Sequence, residues 1–231
     1  MEQGVQNFPG LAGGGALAAQ RNRVLRNTYW LLALSMVPTV LGAWVGMSIG
    51  INRILTPGIG LIVFLAGAFG FMFAIEKFKN SAAGVPLLLG FTFFMGVMLS
   101  RLLAVVLGMG NGASLVMMAF AGTGAIFLGM ATLSSVVKRD LSNMAKFMFI
   151  GFILLLVAGI ANFFIQSSAL MITLAVLAIG IFSFFILYDL KRVQDGEETN
   201  YITATLGVYL SIYNVFQSLL ALFGIAGGSN D

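Results

Sequence analysis

The chain has 231 residues, of which 59% are hydrophobic and 9% charged, against about 25% charged in an ordinary soluble domain. It holds neither Cys nor His, which excludes disulfides, thiolate chemistry, an imidazole base and the usual zinc sites. The net charge of +4 is not gathered into a basic stripe with interleaved aromatics, so nucleic acid is not an expected partner. The composition demands a lipid bilayer instead, and at about 20 apolar residues per span the length leaves room for about seven.

Residues 1–20, MEQGVQNFPGLAGGGALAAQ, are rich in Gly, Ala and Gln and read as a disordered tail, because they carry too little apolar surface to order themselves. A cleaved signal peptide would place positive charge ahead of the apolar run, whereas Arg21, Arg23 and Arg26 follow it. The membrane domain is expected over 21–226, with a short tail at 227–231.

The first span is expected at about 29–51. Gly42, Gly46 and Gly50 recur at every fourth position, leaving one face of bare backbone on which a neighbouring helix of the same chain can pack closely; Pro38 is a candidate kink. The turn signal Thr56-Pro57-Gly58 opens span two, 57–75, which Glu76, Lys77 and Lys79 close. Span three, 84–107, carries Arg101 near its far end, where the side chain is expected to snorkel to the interface. Span four, 113–137, contains Gly122-Thr123-Gly124, which lies mid-span without the strand or basic anchor of a nucleotide loop and is read as packing. Span five, 147–165, and span six, 170–188, are joined by the tight connection Gln166-Ser167-Ser168. Span seven, 201–225, follows the acidic loop Gln194–Asn200, in which Thr199 or Asn200 is expected to cap the helix.

Lys and Arg alternate between the two ends of these spans. Three precede span one, two follow span two, three follow span four and two follow span six, against Arg53 and Arg101 on the other side. The N-terminus is therefore expected in the cytoplasm and the C-terminus on the far side.

Asp189 stands out because the sequence places it at or near membrane depth, whereas the other acids fall in tails or loops. An ionisable group facing a bundle interior marks ion or proton paths. A carboxylate one turn before Lys191 and Arg192 is equally that of an end residue paired with local bases. Ser211 and Asn214, with Thr203 and Ser218, share one face of span seven, either lining a path or holding the bundle together. Asp189, Ser211 and Asn214 are thus the candidate gate or ion-path residues. Glu76, Lys77 and Arg192 are the candidate ion-pair partners, since topology brings them to the same side. Intramembrane aspartyl proteolysis would need a second acid, and span seven has none. No catalytic residue, cofactor or resident metal is expected.

Ile186-Leu187-Tyr188-Asp189 at the end of span six, followed by Ala204-Thr205-Leu206 and Tyr209-Leu210-Ser211-Ile212-Tyr213-Asn214-Val215-Phe216, resembles the C-terminal signature of the Bax inhibitor-1 (TMBIM) family. Val24-Leu25-Arg26-Asn27-Thr28-Tyr29 and Gly196-Glu197-Glu198-Thr199-Asn200-Tyr201-Ile202 are similar to its bacterial YccA-like subgroup. The resemblance implies an all-α fold, a seven-transmembrane-helix bundle in the bacterial inner membrane. It implies two functions. One is modulation of a membrane-anchored AAA protease of the FtsH type, or of a membrane stress response, without enzymatic activity. The other is a pH-sensitive leak for Ca²⁺ or H⁺, in which the acid matched by Asp189 hydrogen-bonds a second acid in span seven. Here Ser211 stands in the second position, and a hydroxyl can donate a hydrogen bond to a carboxylate but brings no second titratable charge.

Overall fold

A computed structural model describes residues 9–228. They form eight helices: α1 Pro9–Ser48, α2 Ile51–Ile54, α3 Pro57–Phe78, α4 Gly84–Leu107, α5 Gly112–Val136, α6 Ser142–Ile165, α7 Ser168–Asp195 and α8 Tyr201–Gly228. All but α2 are long and apolar enough to cross a membrane, and no strand occurs among the described residues.

The helices end where local chemistry requires. Gly50 adopts φ 64° and separates α1 from α2. Pro57 occupies the first turn of α3, where its missing N–H costs nothing. Between α6 and α7, Gln166 takes φ 56°, Asn162 Oδ1 accepts from the Ser167 amide, and Ser167 Oγ accepts from the Leu170 amide at 3.3 Å. Gly196, at φ 82°, closes α7 in the left-handed conformation that favours glycine at a helix end.

Several boundaries differ from the sequence expectation, among them the end of α1 at Ser48 instead of about 51 and the start of α6 at Ser142 instead of about 147. Helix α1 begins at Pro9, so the part of the expected disordered tail from Pro9 to Gln20 is helical; Met1 to Phe8 lie outside the described residues. Its alanines favour the helix without help from packing, and Leu17 to Arg23 are exposed on it. Helix α7 runs to Asp195, about two turns past the expected end of span six, so Asp189 sits inside a helix and not at its tip. Of the short tail expected at 227–231, the first two residues continue α8 and the rest lie outside the described residues.

Helix α8 is central, packing against α7, α5, α1, α4 and α3, while α6 rests chiefly on α7 and α3 chiefly on α4. The most extensive pairing is α1 with α4. Gly42 and Gly46 of α1 lie against the α4 backbone at Phe93 and Val97 and against Ser100, and Gly96 of α4 lies against Thr39 and Ala43. Of the glycine face read in the sequence, Gly42 and Gly46 are spent on packing within the chain, whereas Gly50 lies past the end of α1 and takes no part in it. In lipid, where apolar burial between helices gains little, this close approach is what holds the pair. Across the same seam, Tyr209 Oη of α8 pairs with Thr39 Oγ1 of α1 at 2.9 Å, and Tyr213 Oη donates to the Met95 carbonyl of α4 at 3.2 Å.

Candidate functional site

Four segments of the chain meet on one face of the bundle: the start of α1, the α3–α4 turn, the end of α5 and the α7–α8 connection. Asn200 accepts at Oδ1 from the amides of Ile202 and Thr203, capping α8, while its Nδ2 donates to Asn80 Oδ1 and the Lys79 carbonyl in the α3–α4 turn. Gln194 Nε2 donates to Ser134 Oγ near the end of α5 at 2.8 Å. Arg21 of α1 reaches the Asp195 carbonyl at 3.5 Å and lies against Gly196. The ten Lys and Arg counted to one side of the spans all belong to this face, and Arg53 and Arg101 to the other.

Six residues in from the end of α7, the half-buried Asp189 turns its carboxylate onto α8. It meets Gly207, where an added Cβ would stand 2.7 Å from Oδ2 and 3.1 Å from Cγ. Any larger residue at 207 would fill the space this carboxylate occupies. Gly207 lies midway between Thr203 and Ser211 on one face of α8 at helical spacing, and the Thr203 hydroxyl is buried without a hydrogen-bond partner. Ser211 is buried one turn beyond Gly207, about 6 Å along the axis, and makes no hydrogen bond to Asp189 among the described residues. Asn214 donates instead to the Leu210 carbonyl of its own helix at 2.8 Å. The three candidate path residues are thus on two facing helices but not in one hydrogen-bonded set.

The expected ion-pair partners are engaged elsewhere. Arg192 stands 3.8 Å from both Glu197 and Glu198 and over the ring of Tyr188. Glu76 pairs with Lys79, and Lys77 lies over the Phe78 ring. None of the three comes within ion-pair distance of Asp189 among the described residues; loop carboxylates hold Arg192, and Glu76 and Lys77 are engaged by their own neighbours. The carboxylate lies about one helical turn before Arg192, whose own partners Glu197 and Glu198 belong to the α7–α8 connection.

Beside it, Ser134, Lys138, Asp140, Lys191 and Gln194 line a polar cavity of about 540 Å³. Lys191 is buried on its floor and paired with Asp195 at 2.7 Å. At its rim the hydroxyl and amide of Ser142 hold the Asp140 carboxyl below the usual carboxylate range. Among the described residues no three acids converge as a metal site would require.

Gly207 and Glu198 were not singled out from the sequence. The spacing Thr203-Gly207-Ser211, small residues at every fourth position, is the signal that marks the α8 face on which α7 can approach.

Seven spanning helices, with a carboxylate wedged between the last two and a shared polar face, define a multi-pass helical membrane protein. Comparison with known proteins narrows the class. The family model described as inhibitor of apoptosis-promoting Bax1 matches residues 21–228, and the chain belongs to the Bax inhibitor-1 family. A Pseudomonas aeruginosa protein is 38% identical over 217 residues, 93% of this chain and 96% of its own. A Vibrio cholerae membrane protein is 36% identical over 211 residues, 91% of this chain and 93% of its own. The Escherichia coli protein named modulator of FtsH protease YccA is 34% identical over 205 residues, 89% of this chain and 91% of its own.

Proposed function

We propose that this protein is an inner-membrane modulator of a membrane-anchored AAA protease of the FtsH type, acting by binding and not by catalysis. The similarity to YccA along nearly the whole of both chains carries the reading. Its N-terminus is in the cytoplasm and its C-terminus across the membrane, in keeping with the ten-to-two distribution of Lys and Arg. The shared face with Arg21, Gln194 and Asn200 is then the cytoplasmic one, and the exposed start of α1 projects from it within reach of a protease at the membrane surface. Deleting residues 1–20 tests this: co-purification with the protease is expected to fall while the seven-helix domain stays folded. Unchanged association together with unchanged substrate turnover would refute it. Reporter fusions at Arg21 and at Asp231 should report opposite compartments, and a cytoplasmic signal from both would refute the orientation.

One observation favours a second reading, a cation leak gated at Asp189. The carboxylate sits at the α7–α8 seam beside Gly207, unpaired by any base within the described residues. An acid so placed can bind and release a cation or proton as the helices shift. Liposomes containing the wild type should then pass Ca²⁺ in a pH-dependent way, with Asp189→Asn altering the profile; background flux from both at every pH would eliminate the leak.

A further inference from the structure

One face of α1 is ordered as a lipid leaflet is. Leu34, Val37, Leu41 and Trp44 recur every three or four residues along this spanning helix, each roughly half exposed or more, and an exposed apolar stripe of this length on a membrane span faces hydrocarbon. Trp30, 73% exposed, ends the stripe toward the start of the helix, and the exposed Arg26 follows one turn beyond it. About 20 residues cross the hydrocarbon core, and that many counted back from Ser48 reach Thr28. The edge of the core therefore falls between Trp30 and Arg26. An amphipathic ring at the edge and a cation just outside it match the depths of the lipid interface and of the phosphate.

At that depth α1 is grooved. Helices α1 and α5 both pack on α8 but hardly touch each other; Tyr29 and Phe127, edge to face at 6.3 Å, bridge the gap between them. Beside this ring pair a cavity of about 520 Å³ runs along α1, walled by Leu25, Tyr29, Trp30 and Ala33, with Asn22 and Arg26 at the end nearer the start of the helix. Its size is that of a small-molecule site, roughly 300–1,000 Å³, and its exposed residues Arg26, Trp30 and Ala33 continue the lipid-facing stripe. Neither Arg26 nor Arg23, a turn earlier, has a side-chain hydrogen bond or an ion pair among the described residues. The acids that form ion pairs at this end of the bundle, Glu76, Asp195, Glu197 and Glu198, are held by Lys79, Lys191 and Arg192, and Glu2 lies outside the described residues. An apolar groove is thus headed by two arginines whose charge nothing described offsets.

We propose that this groove holds one anionic glycerophospholipid from the leaflet at the start of α1, its phosphate on Arg26 and Arg23 and one acyl chain along Leu25, Tyr29 and Ala33. The occupant is a lipid because the open side of the groove is continuous with the face that meets hydrocarbon. It is an anionic one because cations at phosphate depth favour a net negative headgroup over a zwitterionic one. The planar fork of Arg26 suits two oxygens of one phosphate.

Quenching of Trp30 by brominated lipid tests the assignment in the full chain, with Trp44→Phe leaving Trp30 as the one tryptophan. The protein is placed in equimolar vesicles of phosphatidylglycerol and phosphatidylcholine, with bromine on the acyl chains of one lipid or the other. Brominated phosphatidylglycerol should quench more strongly, corresponding to a preference of about fivefold or more. Arg26→Gln should lower that preference about fivefold. Arg139→Gln, exposed at the same end of the bundle and removing the same charge, should leave it unchanged, as should removal of residues 1–20. Ala33→Phe, which fills the groove with every charge in place, should also lower it. Equal quenching by the two lipids would overturn the proposal, and so would loss of the preference with residues 1–20. Equal loss in the two arginine variants would overturn it too, by reducing the effect to diffuse attraction. If Arg26→Gln fails to fold, Ala33→Phe decides in the same assay, and a preference equal to wild type would overturn the proposal.

Discussion

Gly96→Ala is the substitution from which the most can be calculated. The new methyl group would meet the Thr39 carbonyl, with Thr39 C at 2.8 Å and the Ala43 amide nitrogen at 3.0 Å. All three atoms are backbone, so no side chain can swing aside and α1 must retreat by on the order of 1 Å, which forfeits a quarter to a half of the dispersion attraction along the seam. Overpacking of this kind costs about 1–3 kcal/mol, against which alanine returns up to about 1 kcal/mol of helix propensity. With the full return, a net loss of up to about 2 kcal/mol follows. Gly129→Ala is the control, since nothing lies within 4 Å of a Cβ there; it should be neutral or slightly stabilising. Thermal unfolding in mild detergent can be followed by intrinsic fluorescence, because Trp30 and Trp44, the two tryptophans of the chain, both belong to α1. Gly96→Ala should lower the midpoint and Gly129→Ala should not. Indistinguishable midpoints would refute the claim that α1 and α4 are held by backbone contact.

Asn200→Ala removes both the α8 cap and the link to Asn80, and should cost about 1–2 kcal/mol in the same unfolding measurement, whereas Asn200→Asp should recover the cap but not the link. Tyr209→Phe deletes the hydroxyl that pairs with Thr39 at 2.9 Å and should cost about 0.6–1.7 kcal/mol, the range of interhelical hydrogen bonds in a membrane. Gly207→Ala moves the Asp189 carboxylate without altering any charge. If Asp189 acts through its position on α8, Gly207→Ala will reproduce the phenotype of Asp189→Asn, in protease modulation or in flux.

The seven spans could be read from the sequence because each needs a run of apolar residues bounded by charge or turn residues, and those signals are local. The glycine repeat at 42 and 46 was also legible, since period four on a spanning helix names a packing face. The sequence offered Thr199 or Asn200 as the cap of α8, and Asn200 Oδ1 is the acceptor that takes the role. What could not be read was register. The sequence places Asp189 on one helix and Ser211 on another, but whether they meet depends on how α7 slides along α8, and that is fixed by contacts such as Asp189 on Gly207. The fate of Arg192 was hidden for a related reason: Glu197 and Glu198 looked like solvated loop acids until Gly196 turned the chain back and brought them within 3.8 Å of it. The helical start of α1 escaped notice because its Gly and Ala were taken together, although alanine alone is the strongest helix former.

The central claim is that the chain acts on a protease. It is tested most directly by reconstituting an FtsH-type protease with a membrane-protein substrate in proteoliposomes, and by following substrate loss with and without an equimolar amount of this protein. The rate of degradation should change with the full chain and return to the unmodulated rate with the chain lacking residues 1–20. An identical rate under all three conditions, with each protein shown to be inserted and folded, would contradict it.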